Sequence, residues 1–595
     1  MLKEKDIVVQ RYKDCKTERQ KYISLWNDIN KYVSIATDIN TEFEDNKNES
    51  KQRDRYINDP TAYIATTQLT DYLIGLIWGI GDGVFDLVPN DYIKDQIEDE
   101  NELNEFYNHA TSVALREINH SEAGFLSCLS SFIQGQITYG TSGTGCYPAK
   151  DYIEGKSDNI LQFNRYGVYN CCIDEGANGK INVVYSVRHW RLARIIDEFA
   201  VKEEGIDEEL FNKLPKEIKD AYDKKEYNKK FKIIHGILPH KDYSVGKIGI
   251  KGTKYKGFWF LESEGNIFYE EYYRELPVAI CRSIKIDNQV YGGSFSGIAI
   301  SSIKLLNYMA GKGIRSSEKL TDPPHGAFSG SVQAGEVIDS SANSLTVFKD
   351  VAQGRPPIFP LSDVGDISAL LQLLIPKAEK DISTIFKIDR LLDFNAEVAM
   401  TATESMQRFT IKSKSEIGII IQIMNEYLLP LLHRAISILE EAEAFGVNPQ
   451  SEEAQRLLLI GKEASVLPDV VAKAIADGKR WYDIKFMNSI SQILNAEKFD
   501  WLSKFILTYA QMLQLDPTLR LAVNPYDLLL FMKNILNLGN EKFMKSYTDF
   551  IKAVEAMEQQ QATMMQLQAE NIGSNTVRNL AGAEKDAKQS QQQRN

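Results

Sequence analysis

Four groupings in this chain have residue types that do chemistry elsewhere, and each fails on spacing. Gly155-Lys156-Ser157 matches the last three positions of a phosphate-binding loop. Such a loop needs Gly-x-x-x-x-Gly-Lys-Ser/Thr so that its backbone N–H groups cradle phosphate, and Lys150 stands where the first Gly belongs. A nucleophilic serine on a sharp elbow needs Gly two before and two after it. Ser142 has Gly140 but then Thr144, Ser294 has Gly292 but then Ser296, and Ser329 has neither. The seven His residues are scattered, with no H-E-x-x-H, and His235 and His240 do not share a face on a strand and its turn. The six Cys form no C-x-x-C pair. Vicinal Cys171-Cys172 reads more simply as neighbours on a strand than as a redox pair. Glu440, Glu441 and Glu443 read as a solvated helix surface. No carboxylate cluster converges on one predicted face to hold catalytic metal. The expectation is a non-enzyme with no cofactor and no metal site.

The elements that would position any site are mostly mechanical. Helical period marks residues 1–38, Ala62–Ile80, Glu102–Asn119 and Phe125–Tyr139, and Val84–Val88 reads as a strand. Asn40–Asp59 is polar and reads as a loop. Gly140–Gly145 is glycine-rich and reads as a turn before a strand at Cys146. Strands are expected at Val168–Ile173, Ile181–Val187, Lys229–Leu238, Gly257–Leu261 and Asn266–Tyr273. Ala177-Asn178-Gly179 is a hairpin turn between the first two, and Glu203–Tyr227 is a charged helical insert. The N-terminal half is therefore α+β with an antiparallel sheet.

The second half is dominated by long helices. One follows Tyr291-Gly-Gly-Ser294 and runs to about Lys319, roughly 40 Å at 1.5 Å per residue. Turned at about 100° per residue, its Lys304, Lys312, Arg315 and Lys319 fall within a stripe of roughly 80°. Ile303, Leu305, Leu306, Met309 and Ile314 lie on the other side. Asp322-Pro-Pro324 stops this helix, and 320–365 reads as a small turn-rich β module. A second helix covers 366–388, with Pro376 expected to kink or restart it. A third runs from Thr403 to Phe445, with a bend at Pro430. Helices are expected at Ser451–Ile460, Pro468–Asp477, Asn495–Leu515, Pro525–Leu538 and Lys542–Leu567, with a strand at Tyr482–Met487 and a Gln-rich tail beyond.

The bulk numbers agree with folded domains. Of 595 residues, 43% are apolar and 10% aromatic. The formal charge is -13, which is poor for gripping nucleic acid tightly but does not exclude a surface that lets it slide past. Isolated Cys suit a reducing compartment. The N-terminus lacks the apolar core of a signal peptide. The longest apolar runs, Tyr72–Ile80 and Ile417–Met424, are too short to span a bilayer. No membrane partner is expected.

Several blocks, in order, resemble the head-to-tail connector (portal) proteins of short-tailed bacteriophages. They are the helix from Tyr12 to Ile35, Tyr63–Leu76 running into Phe85-Asp-Leu87, Phe132–Tyr147, and Leu214-Pro-Lys-Glu-Ile218. The strongest are Leu276-Pro-Val-Ala-Ile-Cys-Arg-Ser283 with Asp287, Tyr291-Gly-Gly-Ser294 and Leu305-Leu-Asn307. Ala402-Thr-Glu404 followed by Glu426-x-x-x-Pro430-Leu is equally good. Where the family usually carries Arg-x-Thr, this chain has Glu397-Val-Ala-Met400.

The resemblance implies a predominantly helical α+β portal fold in a ring, usually of twelve subunits, at one capsid vertex. Residues 1–291 would be the wing, 292–319 and 366–388 the stem, and 320–365 the clip. Residues 389–402 would be the tunnel loop, with Asp389, Leu391, Leu392, Asp393, Phe394, Asn395 and Glu397 as its candidates. Residues 403–445 would be the wing's spine, 446–545 the wing completion and crown, and 546–595 a barrel-like helix and flexible tail. The implied role is a passive channel for double-stranded DNA in packaging and ejection. Lys304, Lys312, Arg315, Lys319, Lys387 and Arg390 are candidates to face the DNA, which they would brake or steer. Implied partners are the terminase large subunit, capsid and scaffolding proteins, tail adaptor or tube proteins and internal core proteins. The implied location is the virion, after assembly in the host cytoplasm. The alternative is another virion structural protein, such as a tail adaptor or ejection component.

Overall fold

In this computed structural model the described residues are 4–33, 57–78, 84–96, 101–168, 170–202, 205–244, 247, 249–321, 325–327, 358–360, 368–388, 418–450, 466–486 and 501–512, with isolated positions after 527. By contact the chain divides into two units. One comprises Met1–Gln96 and His109–Ile493, the other Ile97–Asn108 and Leu494–Asn595.

The first unit opens with helix α1 (Glu4–Tyr32), then α2 (Thr61–Ile77) and strand β1 (Phe85–Pro89), and takes up again at His109 within α3 (Asn101–Ile118). α4 (Phe125–Tyr139) lies between two left-handed glycines, Gly124 at φ 74° and Gly140 at φ 79°. β2 (Thr141–Pro148) follows at once, so the glycine-rich stretch is strand, not turn. Packing overrides turn propensity here. A side chain at Gly143 would strike Ile280, and one at Gly145 would strike the rings of Tyr147 and Tyr166.

β3 (Leu161–Gly167) and β4 (Cys171–Glu175) replace the single strand expected over Val168–Ile173. The break is made by Asn170, whose side-chain oxygen accepts from the Gly167 N–H at 3.1 Å. β5 (Ile181–Arg191) feeds α5 (Leu192–Phe199), then the short strands β6 (Val201–Lys202) and β7 (Gly205–Ile206). The charged insert forms two short helices, Glu208–Lys213 and Lys216–Asp223. β8 (Lys230–Pro239), β9 (Tyr255–Leu261), β10 (Ile267–Tyr273) and β11 (Val278–Arg282) complete this half. β11 carries no alternation, because all five of its residues are buried.

Two sheets result. Five strands run antiparallel in the order β10-β9-β8-β5-β4, and β2 is the centre of β11-β2-β3. The five-stranded sheet is covered on both faces. Trp259 and Leu261 pack with Phe199, Ile195 and Ile218 on one side. Phe258 and Phe260 pack with Val8, Tyr12 and Cys15 of α1 on the other. Cys15 is pushed up to about 12 and Cys172 to about 11, chiefly by burial, so both thiols are inert packing.

The long helices follow: α6 (Phe295–Thr321) and, packed along it, α7 (Ser368–Ile385). Between them in sequence β12 (His325–Ala327) pairs antiparallel with β13 (Ile358–Pro360). α7 runs on through Pro376 without a restart. Residues 418–441 are helical, but the expected bend is a π turn at Met424–Leu428 leading into α8 (Leu429–Glu441). The wider turn spares Pro430, near the start of α8, the hydrogen bond it cannot make. α9 (Asp469–Ala476) and β14 (Tyr482–Phe486) close the unit, and β14 pairs antiparallel with β1, Leu87 opposite Ile484.

Of the second unit, residues 501–512 form a helix with Trp501 and Leu507 exposed. The expected helices at Ser451–Ile460 and Lys542–Leu567, and the tunnel loop 389–402, lie wholly or mostly outside the described residues.

Candidate functional site

The candidate DNA-facing residues sit on α6 and α7. Helix α6 starts at a built cap, with the Ser294 hydroxyl accepting from the Gly297 N–H at 2.9 Å. Gly292 and Gly293 ahead of it press their carbonyls against Gly140, where no side chain would fit. Midway, the Asn307 side-chain oxygen accepts from the Asn58 and Asp59 N–H groups at 2.9 and 3.2 Å. Asp59 in turn accepts from the Thr61 N–H, so one α6 side chain fixes the entry to α2.

The four α6 cations do not share one environment. Lys304 is half-buried and paired to Asp28 of α1 at 2.8 Å, and lies over the Tyr32 ring. Lys312 and Arg315 are exposed, Lys312 lying 5.3 Å from the Tyr308 ring centre. Lys319 lies in the last turn of the same helix. Lys387 follows α7 in left-handed backbone, φ 60°, its N–H donating to the Thr384 carbonyl. Arg390 and Asp389, Leu391, Leu392, Asp393, Phe394, Asn395 and Glu397 lie outside the described residues.

The apolar side of α6 is only partly covered. Ile303 and Leu306 are buried but Ile314 is exposed, and Leu305, only about 20° around the helix from Lys312, falls on the cation side rather than opposite it, exposed with Ile298 and Tyr308. At about 100° per residue, Ile298, Leu305, Tyr308, Lys312 and Arg315 span an arc of roughly 100°. The outer face is thus apolar and aromatic toward the N-terminus and basic toward the C-terminus.

A buried polar junction ties β11 to the β4–β5 hairpin and to the π turn ahead of α8. The Arg282 side chain, at the end of β11, is wholly buried. Its guanidinium donates to Glu175 at 2.8 Å, to the Gly179 carbonyl at 2.7 Å and to Glu426 at 3.1 Å. Its backbone N–H donates to the other oxygen of Glu426 at 3.2 Å. The next residue, Tyr427, stacks on Phe132 with centroids 3.5 Å apart, and its hydroxyl lies 2.9 Å from Thr144 Oγ1. Burying a guanidinium is tolerable only with such partners. The roles of Arg282, Glu426 and Asn307 were not assigned from sequence. The available signal was a charge set in an apolar run, Ala279-Ile-Cys281 before Arg282, which must find a partner.

The residues weighed for chemistry fall into structural roles. Ser157 donates to Glu122 at 3.0 Å, and Lys156 pairs with Glu154. Ser142 is buried in β2. Glu440 is a correction: it is mostly buried, paired to Arg274 at 3.2 Å and accepting from Trp481 at 3.3 Å, rather than solvated. Among the described residues, no group of His, Cys, Asp and Glu could hold a metal ion, and no helix is long and apolar enough to cross a membrane.

Comparison with known proteins defines the class. The model of the bacteriophage head to tail connecting protein family matches residues 5–471, and the chain belongs to that family. Its members connect phage heads to tails, and this chain is a virion connector protein. No curated protein matches. Among solved structures, the neck of an empty GTA particle, computed with C6 symmetry, aligns at 10% identity over 71% of this chain and 91% of that one, with a TM-score of 0.29. A likeness that low says nothing further about this chain.

Proposed function

We propose that the chain is a portal: it assembles as a ring, of twelve copies by family resemblance, whose channel passes double-stranded DNA during packaging and ejection. The observation that carries the reading is family membership across residues 5–471, a span that includes both long helices and the β12–β13 pair between them. In this reading α6 and α7 are the stem and residues 320–365 the clip, where the terminase large subunit and later the tail adaptor or tube proteins dock. The sheets form the wing, against capsid and scaffolding proteins, and internal core proteins would sit at the crown. Assembly takes place in the host cytoplasm, and the product occupies one capsid vertex.

The channel works by positioning charge and needs no catalytic group. Twelve copies at -13 each make an acidic ring, which keeps DNA from sticking. Lys312 and Arg315, exposed on the basic half of α6, are the best placed to steer or brake the backbone. Lys304 is already tied to Asp28 and serves the α1–α6 contact instead.

Electron microscopy of the purified full chain tests this reading. Class averages down the particle axis should give rings of about twelve subunits with an open channel. A monodisperse monomer or dimer at high concentration would overturn it.

A further inference from the structure

A second polar site lies far in sequence from the long helices. It is a pocket of about 140 Å³ bounded by α8, the end of β10, the connection between β8 and β9, and the turn between α9 and β14. His433 and Ser437 sit four residues apart on one face of α8 and both line it. His433 Nε2 lies 3.3 Å from Arg480 Nη1, and Nδ1 lies 3.1 Å from the Tyr482 hydroxyl. A guanidinium can only donate, so Nε2 accepts and Nδ1 carries the proton. Nδ1 therefore donates to Tyr482, whose own hydroxyl hydrogen is left to point elsewhere. Burial, with Arg480 beside it, holds His433 down to about 4, so the ring is neutral near pH 7.

Ser437 adds a second free donor. It is 9% exposed, and its hydroxyl has no partner. A helical serine commonly bonds back to the carbonyl four residues earlier, and this one does not. The nearby charges are also unbalanced. Lys254 Nζ and Arg480 Nη2 lie 2.6 and 3.2 Å from the same oxygen of Glu275, two cations on one carboxylate. Five Lys and Arg side chains line the pocket against two carboxylates, Glu275 and Glu440. Two spare hydroxyl donors and a net positive lining converge on this space.

We propose that this pocket binds one small oxyanion, a phosphate or carboxylate group, held by Ser437, Tyr482 and Arg480. A free phosphate and an acidic side chain would present the same chemistry. The site stands apart from the channel reading, because binding is measured on the purified chain whether or not it forms rings.

The test is ³¹P NMR of inorganic phosphate titrated with the full chain at constant ionic strength. Wild type should broaden the line saturably. Ser437→Ala and Arg480→Gln should each bind about tenfold more weakly or worse, the worth of one hydrogen bond to a charged group. Circular dichroism checks that both remain folded. Acetate then separates the sources: displacement of phosphate assigns a carboxylate, and failure to displace assigns a phosphate. No saturable broadening by wild type, or equal broadening by a folded Arg480→Gln, overturns the proposal.

Discussion

The surroundings of Arg282 and the outer face of α6 both combine basic and aromatic side chains, under opposite constraints. At Arg282 the wholly buried guanidinium meets two carboxylates and a carbonyl, and Tyr427, the residue after its partner Glu426, stacks on Phe132. On α6, Lys312 and Tyr308 lie together in the open, with an exposed Arg315 one turn on. The first arrangement makes β11, the β4–β5 hairpin and the π turn a single joint. The second leaves charge and apolar area available to something outside the chain. The joint should therefore govern stability and the outer face should not.

The sharpest way to break this contrast is Arg282→Met. It strands Glu426 and Glu175 without their cation and should cost about 3–5 kcal/mol, read as a lower urea midpoint. Glu426→Gln combined with it should cost less than the sum of the two singles, because they share one interaction. Independent effects would show that the joint is not a unit.

Next comes Gly140→Ala, which puts a methyl group on left-handed backbone against the Gly292 and Gly293 carbonyls. A loss of about 1–3 kcal/mol is expected. A neutral result would mean the start of α6 is free to move away from β2.

Asn307→Ala should cost about 1–2 kcal/mol by orphaning the Asn58 and Asp59 N–H groups. Hydrogen exchange should rise at residues 57–61 ahead of the global change. Uniform exchange would place the anchor of α2 elsewhere.

A smaller effect follows pH. Burial pushes the Glu262 carboxyl up, but hydrogen bonds from Lys232, Lys16 and Tyr12 outweigh it and hold it down to about 2. Its folded value lies below its unfolded one, so its contribution is complete above about pH 4.5 and fades as pH falls toward 2. With partial exposure that contribution is about 1 kcal/mol. Glu262→Gln should flatten the stability curve across that window; an unchanged slope would sink the assignment.

Smallest of all for stability is the pair Lys312→Glu with Arg315→Glu, expected within about 0.5 kcal/mol of wild type. If these residues steer DNA, genome packaging or retention should nonetheless fall. Wild-type packaging would remove them from the channel and sharpen the view of α6 as a subunit contact.

Long periodic elements were readable from sequence because periodicity reports burial directly. α4 was bounded correctly at Phe125 and Tyr139 by its flanking glycines, and the β4–β5 hairpin by Ala177-Asn-Gly179. What failed was set by distant packing. Gly140–Gly145 reads as a turn until Ile280 and Tyr166 are known to press on its glycines. Glu440 looks solvated until Trp481 and Arg274 close over it. The blocks that carry the family resemblance were visible, but not that Arg282 of one meets Glu426 of another. Along α6, the sequence shows four cations on one side, and only the fold separates paired Lys304 from exposed Lys312.

The pairing of β1 with β14 also sets a clock. Phe85 lies opposite Phe486, about 400 residues apart. At about 5–20 residues per second of synthesis, β1 waits roughly 20–80 s for its partner to emerge. Until then one edge of β1 stays open, and Trp481, which packs against Phe445 and Tyr482, is missing. A nascent or truncated chain that stops short of β14 therefore cannot complete this part of the first unit, and any surface that forms only when β14 docks is withheld until Tyr482–Phe486 has emerged.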